Sequence, residues 1–96
     1  MADKVDYELV RNDEQGQYEI HVDGKVAGFS TFQNREGVRV LPHTVVHDEF
    51  QGKGLSKPLI TFALDDVRAD GLKVIPSCPA VAAYIEKNPE YQDLVA

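Results

Sequence analysis

A glycine-rich stretch with two lysines is the part of the sequence whose residue types and spacing best fit a chemical task. It spans residues 49–59 and contains Gly52, Lys53, Gly54 and Lys57. A β-type run precedes it and a helical run follows it. Backbone N–H groups at such a turn point outward in front of the positive end of the helix dipole. Glycines let the backbone approach a ligand closely, and the lysines add positive charge beside the same anion. The pattern therefore predicts a site for a phosphate or pyrophosphate.

The stretch differs from two familiar nucleotide-binding loops. A Walker A loop needs Gly-x-x-x-x-Gly-Lys-Ser/Thr, and the glycine spacing here is different. A Rossmann fingerprint needs a third glycine after Gly-x-Gly, whereas Ser56 and Lys57 follow here. The stretch predicts anion binding but does not identify the nucleotide.

Composition limits the class of protein. A chain of 96 residues is expected to form one domain, residues 1–96. A domain this short buries only roughly 60–65% of its unfolded surface, so a monomer or a weak dimer paired through a sheet edge is expected. The net charge of −6 argues against nucleic acid and anionic membranes as partners. An acidic cofactor would therefore need a local positive patch, for which Lys53 and Lys57 are candidates.

The expected location is cytoplasmic. Cys78 is the only cysteine, which excludes an internal disulfide and indicates a reducing compartment. No run approaches the ~18 apolar residues of a membrane span. Residues 1–6 have no apolar core like that of a signal peptide.

Period-2 alternation predicts a meander of four antiparallel strands before the glycine stretch. In the first, Val5, Tyr7 and Leu9 alternate with polar residues. Pro42 falls inside the fourth and cannot donate to a ladder, so that strand is expected either to splay there and leave a wedge, or to be an ordinary edge strand. The predicted strands are residues 5–10, 18–23, 26–32 and 38–47, with turns at 12–16, 23–24 and 34–37.

Helical periodicity and a short apolar run describe the second half of the chain. A helix is expected to start within residues 54–57 and to end at Gly71. Its solvent side is expected to carry Asp65, Asp66, Arg68 and Asp70. The remaining predicted elements are a strand at residues 72–75 parallel to the fourth strand, a helix at 80–87, and a short turn or helix at 88–94 that docks Tyr91 and Leu94.

This element order and five short motifs resemble the GNAT acyltransferases, and most closely a short single-domain branch of them. In the glycine stretch, Gln51 and Gly54 fit the Gln/Arg-x-x-Gly-x-Gly/Ala signature that binds the pyrophosphate of acetyl-CoA, and Ser56 stands where Gly or Ala is usual. The five motifs are His43-Thr44, Gln51 to Gly54, Pro76 to Pro79, Tyr84-Ile85 and Asn88 to Tyr91.

The resemblance implies an α+β fold. Its mostly antiparallel twisted sheet would have about five strands, with a central cofactor-binding helix and a short C-terminal helix. The helices that usually follow the first strand and cover the acceptor site would be absent.

The resemblance also implies attack of an amine on an acyl thioester, with acetyl-CoA as cosubstrate and no metal. His43 could accept a proton from the amine, or could be an ordinary hydrogen-bonded strand histidine. Val45 replaces the acidic residue that often follows His-Thr, and a main-chain N–H near Val45 or Val46 could polarise the carbonyl. The expected cofactor-binding residues are Val45, Val46, Gln51, Gly52, Lys53, Gly54, Leu55, Ser56 and Lys57.

Cys78 and Tyr84 are further catalytic candidates. Cys78 precedes a helix whose dipole favours a thiolate, so it could carry the acyl group transiently, or it could be a small packed cysteine. Tyr84 could donate a proton to the leaving thiolate, or be a core tyrosine.

Two function classes follow. One is an acetyl-CoA-dependent N-acetyltransferase that acts by direct attack on the thioester, with a small-molecule or protein amine as acceptor. The other is a CoA-binding module with little or no catalysis.

Overall fold

The structure, a computed structural model, describes residues 6–96 as an α+β fold, so Val5 of the predicted first strand lies outside the described residues. The seven strands are β1 (Glu8–Asn12), β2 (Gln17–Val22), β3 (Lys25–Thr31), β4 (Gln33–Arg35), β5 (Val38–Val40), β6 (Thr44–Val46) and β7 (Lys73–Ile75). The helices are α1 (Ser56–Ala69), α2 (Pro79–Lys87) and two 3-10 helices, Asp48–Phe50 and Pro89–Leu94.

The strands form two sheets. The first is antiparallel, in the order β1-β2-β3-β6, and the second has the order β4-β5-β7. Strand β7 runs parallel to β5, as predicted. The predicted α+β class with a mostly antiparallel sheet is confirmed, but the five expected strands appear as seven segments. Between β1 and β2 the chain makes only a turn, at residues 13–16.

The predicted fourth strand, residues 38–47, is wrong as one strand, because its two halves belong to different sheets. Next to β5, the N–H of Leu41 donates a hydrogen bond to Ile75 O of β7 at 3.0 Å. Two residues later, His43 O instead accepts from the N–H of Thr31 of β3 at 2.9 Å. Pro42 lies between them and has no N–H to give to either sheet. The predicted splay is therefore confirmed. Among the described strands β6 pairs with β3 alone, and we call the space along its other side the wedge.

Gly28 allows β6 to lie close to β3. A Cβ at this position would lie 2.7 Å from the carbonyl oxygen of Val45 and 3.2 Å from Cα of Val46. Both contacts are with backbone, which cannot move aside as a side chain can. Glycine is therefore the residue that lets these two strands pair here.

Helix α1 follows the glycine stretch and covers the core. Its buried stripe repeats every three or four residues, as an amphipathic helix on a sheet requires. Gly71, at φ +72°, ends the helix as predicted, and the N–H of Leu72 donates to Val67 O at 3.1 Å. Within residues 6–96, none of the helices is both long enough and apolar enough to cross a membrane. The buried residues of α1 are Leu59, Ile60, Ala63, Leu64 and Val67.

The segments around the central strands differ locally from the predictions. Tyr7 precedes β1 and is 44% exposed, so burial begins at Leu9. Asn34 and Arg35, predicted in a turn, lie in β4, which pairs with β5. The prediction that residues 88–94 dock Tyr91 and Leu94 is confirmed, since both side chains are buried in the second 3-10 helix.

Glu19 is buried on the sheet face that points away from α1. The opposite face of β2 carries Tyr18, whose ring meets Phe62 of α1 edge-on with centroids 5.5 Å apart. Burial raises the pKa of the Glu19 carboxyl, but hydrogen bonds from neighbouring side chains outweigh it and lower the pKa overall. These partners are His21 at 2.7 Å, Gln17 at 2.7 Å and Asn12 at 3.0 Å.

A buried arginine links the second sheet to α1, and the prediction that Asp66 lies on the solvent side is wrong. Arg39 of β5 is only 4% exposed. Its guanidinium donates to the Tyr18 hydroxyl at 2.8 Å, to Asp66 at 3.1 Å and to Asp70 at 2.9 Å. Tyr18 also donates to Asp66 at 2.8 Å. We call these four residues the Arg39 cluster.

Neighbouring charges tighten this cluster. Arg11 donates to Asp66 at 2.8 Å and to Asp70 at 2.9 Å. The guanidiniums of Arg39 and Arg11 lower the pKa of the Asp70 carboxyl. Asp70 is therefore held as an anion at neutral pH by two arginines.

Replacing Arg39 with methionine is expected to destabilise the fold by about 2–4 kcal/mol, because it leaves two carboxylates without their buried partner. The free energy of unfolding in urea measures this loss. Arg35→Met, on exposed β4, is the matched control and should change the free energy by less than about 0.5 kcal/mol. Equal midpoints for the two variants would show that the cluster contributes little to stability.

Candidate functional site

The loop at residues 51–55 has the backbone that only glycine adopts readily. Gly52 and Gly54 have φ of +82° and +72°, and a Cβ built on either would meet no heavy atom within 4 Å. The glycines are thus needed for conformation and not for packing, and the space in front of them is open. Gln51 fastens the loop to β6, because its Nε2 donates to Val46 O at 3.0 Å.

The first turn of α1 adds donors and positive charge beside this loop. Leu55 occupies the N-cap position and makes no side-chain cap hydrogen bond, and the first turn contains no acidic residue. The N–H groups of Ser56 and Lys57 are therefore left for an external acceptor. Leu55 is only 3% exposed, so it can meet a ligand through its main chain alone.

Strand β6 presents alternate backbone groups to the wedge. His43 O and His47 N–H bond to β3, and the register places Val45 opposite Phe29 on the same ladder. Alternation then turns the N–H of Val46 away from β3 and toward the wedge. Of the two candidate donors, the geometry favours Val46, while Val45 has its backbone engaged and its side chain 39% exposed.

The loop and the wedge share one depression of about 260 Å³. Its walls are Thr44 and Val46 of β6, Phe50, Ala80 of α2, and the loop itself. It brings together six predicted binding residues, namely Val46, Gln51, Gly52, Gly54, Leu55 and Ser56. Lys53 stands on the exposed loop beside it, and Lys57 lines a neighbouring depression.

Cys78 lies buried near this wedge, where its thiol acidity is perturbed. It is 5% exposed and is the N-cap residue of α2, and its N–H donates to Leu41 O at 3.0 Å. Burial would raise the pKa of the thiol, but polar groups around the sulfur outweigh it and lower the pKa below the usual value. These groups are the hydroxyl and backbone of Thr44 and the backbone of Val81 and Ala80.

The other two predicted catalytic side chains do not line the first depression. His43 is exposed on the segment between β5 and β6. Tyr84 lines a second depression, of about 440 Å³, between α1 and α2. Its hydroxyl lies 2.8 Å from Oγ1 of Thr61 on α1, and its main-chain carbonyl accepts from Asn88 at 2.8 Å.

Sequence reasoning gave no role to Thr44. The structure places its hydroxyl 3.2 Å from Oγ of Ser30 and among the groups that lower the pKa of the Cys78 thiol. The His43-Thr44 motif marked the position, but its contacts depend on strands that are distant in sequence. Ala80 was likewise missed as a wall of the depression.

Comparison with known proteins identifies the fold family. Residues 17–94 match the family model described as GCN5-related N-acetyl-transferase. The chain belongs to the GCN5-related N-acetyltransferase family. Among residues 6–96, there is also no group of three or more His, Cys, Asp or Glu arranged to hold a metal ion.

Solved structures of this family have the same architecture. A solution NMR structure of a GCN5-like candidate N-acetyltransferase from Staphylococcus aureus matches with a TM-score of 0.71 and 25% identity, over 93% of this chain and 87% of that one. The ribosomal-protein-S18-alanine N-acetyltransferase from Escherichia coli matches with a TM-score of 0.61 and 19% identity, over 76% of this chain and 50% of that one. The second likeness concerns the fold alone.

Curated relatives match over a shorter segment. Protein NATD1 of Xenopus tropicalis and Protein NATD1 of Homo sapiens are each 39% identical over 49 residues, which is 51% of this chain. The matched segment covers 45% and 43% of those proteins. The match thus spans less than half the length of these relatives.

Replacing Thr44 with valine is expected to raise the pKa of the Cys78 thiol, because it removes a hydroxyl donor from the sulfur. Thiolate absorbance against pH measures this, and Cys78 is the only cysteine to titrate. In the wild type, the depressed pKa stabilises the fold above the unfolded pKa, and this stability is lost as the pH falls through the folded pKa.

Thr61→Val is the matched control, since that hydroxyl contacts Tyr84 and not the sulfur. The control should titrate like the wild type. An unchanged titration curve in the Thr44 variant would show that its hydroxyl does not act on the thiol.

Proposed function

We propose that this protein is an acetyl-CoA-dependent N-acetyltransferase that acts by direct attack of an amine on the thioester. The observation that carries the proposal is the junction of the open glycine loop, the start of α1 and the unpaired side of β6 in one depression. That junction offers anion donors at one end and a main-chain N–H at the other. A thioester joined to a pyrophosphate needs both.

The anion end fits the pyrophosphate of the cosubstrate. Positive φ at Gly52 and Gly54 directs loop N–H groups outward. A Cβ built on either glycine would have no heavy atom within 4 Å, so a ligand can approach the loop there. Lys53 and Lys57 supply the local positive charge that a chain with a net charge of −6 needs for an acidic cosubstrate. The open loop, rather than any single side chain, supports this assignment.

The wedge end fits the thioester. The N–H of Val46 would donate to the carbonyl oxygen, where negative charge develops in the transition state. The amine nitrogen forms a bond to the carbonyl carbon and the carbon–sulfur bond breaks. One proton of the ammonium goes to a base, for which exposed His43 is the candidate, and the second ends on the departing CoA thiolate.

Direct transfer is favoured over an acyl-cysteine because of the surroundings of Cys78. Cys78 is 5% exposed, and polar groups of three residues surround its thiol. Donors that stabilise a thiolate also lower its nucleophilicity. The thiol therefore serves better as a packed group that joins β6 to α2 than as an acyl carrier.

A CoA-binding module with little catalysis is the second candidate. The position of Tyr84 favours it, because the hydroxyl is engaged with Thr61 and lies off the wall of the wedge depression. The chain would then supply no side-chain acid for the leaving thiolate. Turnover with an amine distinguishes the two functions.

The acceptor amine would approach a site that the described residues leave uncovered. The chain between β1 and β2 is a four-residue turn, at residues 13–16, and not a helical cover. A site without this cover could admit either a small amine or an amine on a protein. Cytoplasmic location, and a monomer or weak dimer, belong to the same proposal.

Acetyl-CoA is expected to raise the melting temperature. At a concentration one hundred times its dissociation constant the gain is about 2.7 kcal/mol, or roughly 10–20 °C for a domain of this size. Gly54→Asp should abolish the shift, because it places a carboxylate where the pyrophosphate binds. Differential scanning fluorimetry measures both.

Gly37→Asp is the matched control, since Gly37 has φ +74° and equally open surroundings in the distant β4–β5 turn. It should lose similar stability and keep the shift. An unshifted wild type in millimolar acetyl-CoA would contradict the proposed function.

Replacing His43 with alanine is expected to lower turnover by roughly 10²–10⁴-fold while leaving CoA affinity nearly unchanged, because it removes the base and not the anion contacts. Cys78→Ala should keep more activity than His43→Ala. Steady-state assays with a panel of amines measure both.

Mass spectrometry of the protein with acetyl-CoA, before amine is added, tests for an acyl group on Cys78. An acylated Cys78 that amine consumes at the turnover rate would refute direct transfer. Equal measurable rates for all three proteins would show that transfer needs neither His43 nor Cys78, and no rate at all would favour the binding module.

A further inference from the structure

We propose that β1 and α1 form a docking groove for an extended segment of another protein, which adds to the free edge of β1 as a further antiparallel strand. The segment carries an apolar side chain at its centre, a basic side chain two residues before it and an acidic side chain two residues after it. This inference does not rest on the proposed function, since β1 lies at the opposite edge of the first sheet from β6.

The free edge of β1 presents backbone groups to an added strand. Within residues 6–96, β1 is the outermost strand of the first sheet and pairs with β2 alone. Asn12 O accepts from the N–H of Gly16 at 2.9 Å in the β1–β2 turn, so Asn12 directs its backbone toward β2. Because these directions alternate along a strand, Leu9 and Arg11 direct their N–H and C=O groups to the free edge. A further strand can therefore form hydrogen bonds with both residues.

This edge lacks the features that usually prevent strand addition. The pairing of β1 with β2 runs through all five residues without a bulge, and β1 contains neither proline nor lysine. Its arginine, Arg11, is turned onto α1, where it bonds to Asp66. On the other face of the strand, Val10 is 37% exposed. A regular edge of this kind is a template for another strand.

A groove of about 460 Å³ lies beside this edge, between β1 and α1. Leu9, Pro58 and Phe62 give it apolar walls. In an antiparallel pair, residues directly opposite each other place their side chains on the same face of the sheet. The residue of an added strand that lies opposite Leu9 therefore places its side chain over the groove. Backbone pairing gives affinity in this mode of recognition, and the groove selects the side chain.

Charges of opposite sign lie at the two ends of the groove. Lys57 and Asp65 both line it, eight residues apart on α1, which corresponds to roughly 12 Å. Arg11 contacts Asp66 beyond the groove, so β1 and α1 run in the same direction and Tyr7 lies at the Lys57 end. Four residues of a strand span roughly 13 Å, which matches this separation. An antiparallel segment thus brings a basic side chain to Asp65 and an acidic one to Lys57.

The Asp65 end of the groove is acidic overall, although an arginine lies there. The guanidinium of Arg11 is shared among several carboxylates, so it does not repel a basic side chain on the added strand. The carboxylates outnumber the guanidiniums at this end, with Asp13, Asp65, Asp66 and Asp70 against Arg11 and Arg39.

The helical wall of the groove is fixed before any partner binds. Thr61 donates to Lys57 O at 2.9 Å, and its Oγ1 lies 2.8 Å from the Tyr84 hydroxyl. The Tyr91 hydroxyl donates to Asp65 at 2.9 Å, while Asp65 remains exposed. A preformed wall reduces the entropy that is lost on binding.

A second copy of the chain fits this edge less well than a different protein. A two-fold pairing centred on Leu9 places Arg11 of each copy opposite Tyr7 of the other. That pairing brings no carboxylate to Lys57 and adds a second cation beside it. A pairing centred on Val10 instead places Arg11 opposite Leu9, so a charged side chain lies over the apolar groove. The charges therefore favour a segment of a different protein.

The first experiment measures the charge order by calorimetry. The probe is the end-capped peptide Thr-Lys-Thr-Leu-Thr-Glu-Thr, and the control peptide has the lysine and the glutamate exchanged. The probe should bind roughly tenfold more tightly, because two exposed attractive contacts replace two repulsive ones. Asp65→Asn should reduce this preference roughly threefold, whereas Glu86→Gln, on the exposed side of α2, should keep it. Equal affinity for the two peptides, or no binding of either, overturns the inference.

N-methylation of the probe distinguishes strand addition from other modes of binding. The N–H of the central leucine faces β1 in the proposed register, and the N–H of the following threonine faces away. A methyl group on the leucine nitrogen should weaken binding roughly tenfold or more, because it removes a hydrogen bond to the edge. A methyl group on the threonine nitrogen should change the affinity less than about threefold. Equal losses from the two methyl groups would rule out pairing in this register.

Hydrogen exchange in the free protein tests whether the edge is open. The N–H groups of Leu9 and Arg11 should exchange rapidly and become protected when the probe binds. The N–H of Val10 faces β2 and should be protected in both states, which makes it the internal control. Protection of Leu9 in the free protein overturns the inference. If that protection persists on dilution, the chain itself covers the edge, and if it disappears, a second copy does.

Discussion

The buried guanidinium of Arg39 is the interaction on which the arrangement of the two sheets and α1 depends. It joins β5 to Tyr18 of the other sheet and to two carboxylates of α1, and it lies 5.1 Å from the Phe32 ring centroid. Removing a charge from water costs several kcal/mol unless its partners hold their positions. Because β5 leads through Pro42 into β6 and α1 follows the glycine loop, this single side chain helps to set the position of both parts of the candidate site.

The candidate site is made largely of main chain. The N–H of Val46, the N–H groups of the glycine loop and those at the start of α1 are its donors, and most side chains around them only shape the backbone. Gly28 and Pro42 act in this way, the first by admitting β6 close to β3 and the second by separating β5 from β6. Such a site depends on backbone conformation more than on the identity of the surrounding side chains.

Local signals predicted the elements well, and distant contacts explain what they missed. Helical periodicity and Gly71 located α1 because caps and stripes are local properties. Pro42 located the splay, but alternation within one run carries no information on which strand each half will pair with. Asp66 was assigned to solvent because its partner Arg39 is 27 residues away. The hydroxyl of Tyr84 was similarly unpredictable, since Thr61 engages it from another helix.

The splay also limits the risk of aggregation that an edge strand brings to a β-sheet. Unpaired backbone along a strand is a template for a strand from another molecule, and so a route to aggregation. Here the unpaired side of β6 faces inward across the wedge, and the strand has only three residues. A neighbouring chain therefore finds neither the length of strand nor the access that fibril growth requires.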